Sequence, residues 1–180
     1  MKIGITGHSE FLGKALFELL SKDNEVHGFS RSNGYDLDNY ESILEKIVHM
    51  DVFINNTYHP TNQKKIFEQL FQVWKDENKT IFNILTSSIF NGGSYDDYRN
   101  NKLSIQKSSI DLVNANLGKK VRVVNLYPNT LEHNKRFPFN KLNFSEVYDI
   151  IKFQLNLPQS LELSHLCISR TTIQNDHKLF

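Results

Sequence analysis

The 180-residue sequence has little cysteine, almost no excess charge and no long apolar run. Its single cysteine, Cys167, excludes an internal disulfide framework and a cysteine-based zinc site, and its seven histidines lack metal-ligand spacing. The formal net charge is +1, so neither a nucleic-acid-binding surface nor a polybasic membrane patch is expected. No apolar run approaches the length of a membrane span, and the first residues resemble a core strand rather than a signal peptide. We therefore expect a cytoplasmic protein.

The sequence does contain short apolar runs that alternate with longer helical patterns, which is typical of an α/β fold. This pattern predicts one domain over residues 1–180, with a Rossmann-type, doubly wound parallel sheet of six to seven strands and helices on both faces. The predicted strands span 2–6, 25–30, 51–55, 80–86, 121–126 and 163–168, and the predicted helices span 13–21, 39–49, 62–76, 98–117 and 145–155. A strand after 25–30, if present, can only be a stub around 35–37. Right-handed crossovers then favour the order 3-2-1-4-5-6, with that stub as the third strand.

A glycine turn joins the first predicted strand to the first predicted helix, and its sequence is Thr6-Gly7-His8-Ser9-Glu10-Phe11-Leu12-Gly13. The start of a helix presents unpaired backbone N–H groups and the positive end of its dipole, so this turn can hold a pyrophosphate. The central glycine of such a motif is missing, because that position is Glu10 in one alignment and Phe11 in the other. A carboxylate there would repel the phosphate, and a phenyl ring would obstruct it. Alternatively, Glu10 points to solvent and Phe11 packs under the turn, which would leave room for a nucleotide.

Further polar motifs follow the other predicted strands, at the sheet edge where ligands bind in this class of fold. They are Asn55-Asn56-Thr57, Thr86-Ser87-Ser88 and Tyr127-Pro128-Asn129-Thr130. Tyr98 and Lys102 lie four positions apart on a predicted helix, so their side chains emerge on one face. An isolated tyrosine has a pKa near ~10, and a neighbouring ammonium group would lower that pKa towards neutrality.

In this order, these five motifs resemble those of the short-chain dehydrogenase/reductase family, and the resemblance covers nearly the whole chain. It implies that Tyr98 is the general acid for carbonyl reduction, or the base for alcohol oxidation, and that Lys102 bonds the nicotinamide ribose. Ser88, or alternatively Ser87, would hold the substrate oxygen. The implied cofactor-binding residues are Gly7, His8, Ser9, Glu10, Phe11, Leu12, Gly13, Ser30, Arg31, Ser32, Asp36, Asn55, Asn56, Thr57, Lys102, Pro128 and Thr130.

The segment Ser30-Arg31-Ser32 bears on the choice of cofactor, because it follows the second predicted strand, where an adenosine ribose would lie. It lacks the acidic residue that bonds a ribose 2′-hydroxyl, and the planar fork of Arg31 suits a phosphate. NADP(H) is therefore favoured over NAD(H), and a merely solvated arginine is the alternative. The family often adds an active-site asparagine, for which Asn62 is the candidate, with a helix-cap role as the alternative.

The sequence thus predicts an NADP(H)-dependent oxidoreductase that reduces a carbonyl or oxidises an alcohol on a small molecule, with no metal. The substrate loop, at about 128–144, is short. Family members often dimerise through the helices predicted here at 62–76 and 98–117, so a homodimer through these helices is expected. One alternative is a non-catalytic Rossmann-fold module that binds a nucleotide or a protein. Another is a nucleotide-sugar-modifying enzyme, which usually needs a larger C-terminal region.

Overall fold

Six parallel strands form the central sheet of the computed structural model, which describes residues 1–90, 96–135 and 141–170. The strands are β1 (Lys2–Thr6), β2 (Glu25–Phe29), β3 (Val52–Asn55), β4 (Thr80–Ile84), β5 (Arg122–Pro128) and β6 (His165–Ile168). They lie in the order β2-β1-β3-β4-β5-β6, and every neighbouring pair is parallel. The predicted α/β class and the predicted strand segments are confirmed.

Five α-helices of the described residues cover both faces of this sheet. They are α1 (Phe11–Leu20), α2 (Tyr40–Ile47), α3 (Asn62–Trp74), α4 (Asp97–Ala115) and α5 (Phe144–Asn156). Successive residues of a strand point to opposite faces, so each strand contributes to two cores. On β3, Val52 and Ile54 pack with α1 and α5, whereas Phe53 packs with α2, α3 and α4. No helix within the described ranges is both long and apolar enough to cross a membrane.

The possible strand stub around 35–37 does not form, so the sheet has six strands and its order begins at β2 rather than at a third strand. Asp36 caps a 3-10 turn, Leu37–Asn39, by accepting a hydrogen bond from the backbone N–H of Asp38. Such a local side-chain bond competes with an extended ladder. Tyr35 packs edge-on against Phe29, and Leu37 is buried in the core, so this segment serves packing and leaves β2 at the sheet edge.

Candidate active site

A cleft of about 1240 Å³ lies at the carboxyl ends of the strands, where ligands bind in open α/β sheets. The segments that follow β1, β2, β3, β4 and β5 line it, together with the first turn of α4. All of the predicted site residues line this cleft except His8 and Asn55. Those that do are Gly7, Ser9, Glu10, Phe11, Leu12, Gly13, Ser30, Arg31, Ser32, Asp36, Asn56, Thr57, Ser87, Ser88, Tyr98, Lys102, Pro128 and Thr130.

His8 and Asn55 do not line the cleft, because the side chain of His8 packs behind it and that of Asn55 is hydrogen-bonded in the core. The His8 ring lies 5.1 Å from the Phe17 ring and fills the space where a side chain at position 28 would stand. Asn55 is fully buried, and its amide donates to the carbonyl of Gln63 at 3.0 Å and to Asn83 at 3.1 Å.

The backbone of the glycine turn resolves which residue replaces the missing glycine. Gly7 adopts a positive φ of 71°, and a Cβ at Gly13 would lie 1.9 Å from the Gly7 carbonyl oxygen, so both positions require glycine. Phe11 has a φ of 47°, whereas Glu10 is extended with a φ of −143°. Since only the left-handed position favours glycine, Phe11 stands where the central glycine would be.

The Phe11 side chain extends into the mouth of the cleft, where it remains 56% exposed. Its ring stacks on His133 with a centroid distance of 4.5 Å and an interplanar angle of 28°. His133 in turn lies 5.7 Å from Phe144, the first residue of α5. This aromatic pair therefore joins the turn after β1 to the loop after β5.

Arg31 lies on an exposed 3-10 turn, Arg31–Asn33, at the end of the cleft that follows β2. Ser30 anchors the turn, because its backbone N–H donates to the Asn33 side chain at 2.9 Å and its hydroxyl contacts the Ser32 hydroxyl at 2.7 Å. Gly34 ends the turn with a φ of 88°. The arginine side chain is thus presented to the cleft from a fixed backbone, beside two hydroxyl groups.

Tyr98 and Lys102 meet at the opposite end of the cleft, on the first turns of α4. Asp96 caps this helix by accepting a hydrogen bond from the backbone N–H of Arg99 at 2.7 Å. The Lys102 amine lies 5.5 Å from the centre of the Tyr98 ring. Lys102 is only 2% exposed, and its Nζ donates to Gln63 Oε1 at 3.0 Å and to the Ile84 carbonyl at 2.8 Å.

Burial sets the protonation of this pair. Desolvation lowers the pKa of Lys102 to about 7. The pKa of Tyr98 is raised, by burial first and then by Asp96 and Tyr58. In this arrangement the pKa of Tyr98 is raised rather than lowered, because burial acts on both groups and disfavours the ammonium charge that would stabilise a phenolate.

Both candidate serines border the cleft on the 3-10 turn Ser87–Phe90, which follows β4. The Ser88 hydroxyl lies 3.1 Å from the Thr86 hydroxyl, and the Ser87 hydroxyl donates to Asn129 Oδ1 at 3.3 Å. The geometry brings both serines to the cleft and leaves the choice between them open.

Sequence analysis missed Gln63 and Tyr58. Gln63 is fully buried and accepts the hydrogen bond of Lys102. It occupies the apolar stripe of α3 that continues at Ile66 and Phe67. A polar glutamine in such a stripe is the sequence feature that could have indicated a buried polar contact. Tyr58 lines the cleft with its ring 5.1 Å from that of Tyr98.

Asn62 neither lines the cleft nor caps α3 with its side chain. Its side chain binds the Leu37 carbonyl at 2.9 Å, and the start of α3 is capped instead by His59, whose Nδ1 accepts from the backbone N–H groups of Thr61 and Asn62. Asn62 therefore anchors the turn before α2, outside the cleft.

No family model and no curated protein matches the sequence. Solved structures do match over most of the chain. Serine dehydrogenase from Escherichia coli is 15% identical with a TM-score of 0.74, and the match covers 94% of this chain and 97% of that one. A short chain dehydrogenase from Burkholderia cenocepacia in complex with NADP is 17% identical with a TM-score of 0.76, over 92% and 86% of the two chains.

A third match is 3-alpha-hydroxysteroid dehydrogenase from Pseudomonas sp. B-0831 complexed with NADH. It is 15% identical with a TM-score of 0.73, over 93% of this chain and 95% of that one. At these identities the likeness concerns the fold. The chain has the Rossmann-type α/β fold of the short-chain dehydrogenases.

Proposed function

We propose that this protein is an NADP(H)-dependent oxidoreductase of the short-chain dehydrogenase type, which reduces a carbonyl or oxidises an alcohol on a small molecule. The observation that carries the proposal is the meeting of Tyr98, Lys102, Ser87 and Ser88 in one cleft with the glycine turn. A single domain with a short substrate loop and a cytoplasmic location belong to the same proposal. The fold neighbours named above are dehydrogenases, which supports it.

The proposed chemistry divides among three side chains, while the bound cofactor supplies or accepts the hydride. The Tyr98 hydroxyl donates its proton to the substrate oxygen during carbonyl reduction and accepts it in the reverse reaction. Its raised pKa keeps the hydroxyl protonated at neutral pH, as reduction requires. The hydroxyl of Ser88, or that of Ser87, holds the substrate oxygen, and the Lys102 amine binds the ribose hydroxyls.

The cleft fits a dinucleotide in most respects. Gly7 and Gly13 let backbone approach closely at the start of α1, and Asn56, Thr57 and Asp36 line the cleft. We assign Asp36 to the adenine. Arg31, with Ser30 and Ser32, offers a cation and two hydroxyls to a ribose 2′-phosphate, which favours NADP(H). One of the fold neighbours is in complex with NADP and another with NADH, so the proposed preference for NADP(H) rests on the segment around Arg31.

The test is NADPH oxidation at 340 nm with a panel of small aldehydes and ketones. We expect Tyr98→Phe to lower kcat by about 100-fold or more while NADPH affinity is kept, because only the transferred proton is lost. Tyr148→Phe on α5 makes the same chemical change on a helix that covers the other face of the sheet, and it should leave turnover unchanged. Wild-type turnover in Tyr98→Phe would contradict the proposal.

A second candidate function is a Rossmann-fold module that binds a nucleotide or a protein without catalysis. Phe11 favours it, because its ring stands in the approach to the phosphate turn. In that case NADPH titration would give no saturable binding, or binding without oxidation of NADPH by any substrate in the panel.

We further propose a homodimer through α3 and α4. Val73 on α3 and Leu103 and Ile110 on α4 are exposed apolar side chains on these helices. Sedimentation velocity should give a dimer for the wild type and a monomer for Val73→Glu/Ile110→Glu. A wild-type protein that stays monomeric at micromolar concentration would exclude this assembly.

A further inference from the structure

The amine of Lys102 is held at the cleft by a side chain from a different helix. Gln63, on α3, is fully buried, and its Oε1 accepts the Lys102 hydrogen bond at 3.0 Å. The orientation of this amide is fixed from both ends. Gln63 Nε2 donates to the backbone carbonyl of Asn55 at 3.2 Å, and Gln63 Oε1 accepts from the Lys102 ammonium.

Gln63 is itself fixed by a ladder of three asparagines, Asn55, Asn83 and Asn125, which occupy matching positions on β3, β4 and β5. The Asn55 amide donates to Asn83 at 3.1 Å, and the Asn83 amide donates to Asn125 at 3.0 Å. All three side chains are fully buried. Buried amides cost stability unless they are paired, and the amide nitrogens of all three asparagines are paired, which favours this one arrangement of the ladder.

The asparagine ladder joins the two helices that meet at Lys102. At one end Asn55 donates to the backbone carbonyl of Gln63 on α3 at 3.0 Å. At the other end Asn125 donates to the Ser109 hydroxyl on α4 at 2.9 Å, two helical turns beyond Lys102. The hydrogen bonds therefore run from α4 through three strands to α3 and return to α4 through Gln63 and Lys102.

We propose that Gln63 is a positioning residue for Lys102: its side-chain oxygen, oriented by the asparagine ladder, holds the Lys102 amine at the cleft beside the Tyr98 ring. The catalytic meaning of this contact depends on the proposed function, because only an oxidoreductase needs that amine beside a cofactor. The contact itself is a property of the folded chain. It can be tested on the purified protein whether or not a substrate is known.

The first measurement uses the wild-type protein labelled with ¹⁵N and ¹³C. The Lys102 ammonium protons, assigned by comparison with Lys102→Met, should be visible below pH 7 because burial slows their exchange. They should show a nuclear Overhauser effect to the Gln63 γ-methylene group. An ammonium that exchanges as fast as a surface lysine, or that shows no such effect, would overturn the proposal.

The second measurement is the pH titration of the Lys102 side chain in Gln63→Glu and in Gln69→Glu. A carboxylate at position 63 would lie against the amine and should raise its titration midpoint by about one pH unit or more. Gln69 lies on the same helix but binds the Tyr40 hydroxyl, so Gln69→Glu adds the same charge away from Lys102. Equal midpoints in the two variants would contradict the proposal.

A kinetic readout separates this inference from the proposed function. If NADPH is oxidised, the lower limb of the kcat/KM pH profile should move with the Lys102 midpoint in Gln63→Glu and stay in place in Gln69→Glu. If no substrate is turned over, the proposed function fails while the two NMR measurements still decide the contact. A shifted midpoint with an unmoved pH profile would refute the positioning role.

Discussion

Replacing Phe11 by glycine should strengthen NADPH binding. Phe11 stands where a nucleotide-binding turn normally has glycine, and its ring stacks on His133 in the cleft. We expect a phosphate bound at this turn to compete with the stacked rings. An aromatic pair contributes about 0.5–1.5 kcal/mol, so removing the ring should tighten NADPH binding by about two- to tenfold.

The free energy of unfolding of Phe11→Gly should differ little from that of the wild type, so a change in NADPH affinity would not reflect a change in the folded fraction. Left-handed backbone costs an L-residue about 1–2 kcal/mol, and glycine at position 11 relieves that cost. The lost stack, about 0.5–1.5 kcal/mol, and the greater freedom of glycine in the unfolded chain, about 0.5–1 kcal/mol, act in the opposite direction. The three contributions nearly cancel.

The assay is NADPH fluorescence titration of the wild type, Phe11→Gly and Phe11→Ala, with urea unfolding of each. Phe11→Ala is the matched control, because it removes the ring but keeps the strained Cβ. It should gain affinity as well, while being less stable than Phe11→Gly by about 1 kcal/mol. Binding of NADPH to Phe11→Gly that is equal to or weaker than wild-type binding would refute this reasoning.

Three further predictions concern the two ends of the cleft and the core beneath it. Arg31→Ala should weaken NADPH binding about tenfold or more and NADH binding much less, since one charged hydrogen bond to the 2′-phosphate is lost; equal losses would remove Arg31 from that role. Because the folded pKa of Lys102 is about 7 and the unfolded one is higher, the unfolded chain binds the extra proton between these values. The free energy of unfolding should therefore rise with pH above 7 by up to about 1.4 kcal/mol per unit, and Lys102→Met should flatten this slope in urea titrations at several pH values. Asn83→Ala interrupts the asparagine ladder and should cost about 1–3 kcal/mol for each amide it strands; urea unfolding at wild-type stability would show that the ladder holds nothing.

The fold was largely predictable because the apolar pattern is local information. The segments Val52–Asn55 and Asn62–Trp74 follow directly from a buried run and a helical stripe. No strand forms around 35–37, because the Asp36 side chain accepts a hydrogen bond from the Asp38 backbone N–H and stabilises a turn. Whether a segment forms a turn or a strand then depends on side-chain geometry, which the apolar pattern does not contain.

The site was predictable as a set of segments but not as a set of contacts. The carboxyl ends of parallel strands lie at the same edge of the sheet, so motifs that directly follow the strands necessarily come together there. Which of two adjacent residues faces the cleft depends on strand parity, and Asn55 points into the core while Asn56 lines the cleft. The bond between Gln63 and Lys102 joins residues 39 positions apart, and no local pattern signals it.

The central claim is that this cleft binds a nicotinamide dinucleotide with a preference for the 2′-phosphate. Its most direct test is fluorescence titration of the wild-type protein with NADPH and, separately, with NADH under identical conditions. We expect saturable binding of NADPH and clearly weaker binding of NADH. The absence of saturable binding for both nucleotides would contradict it.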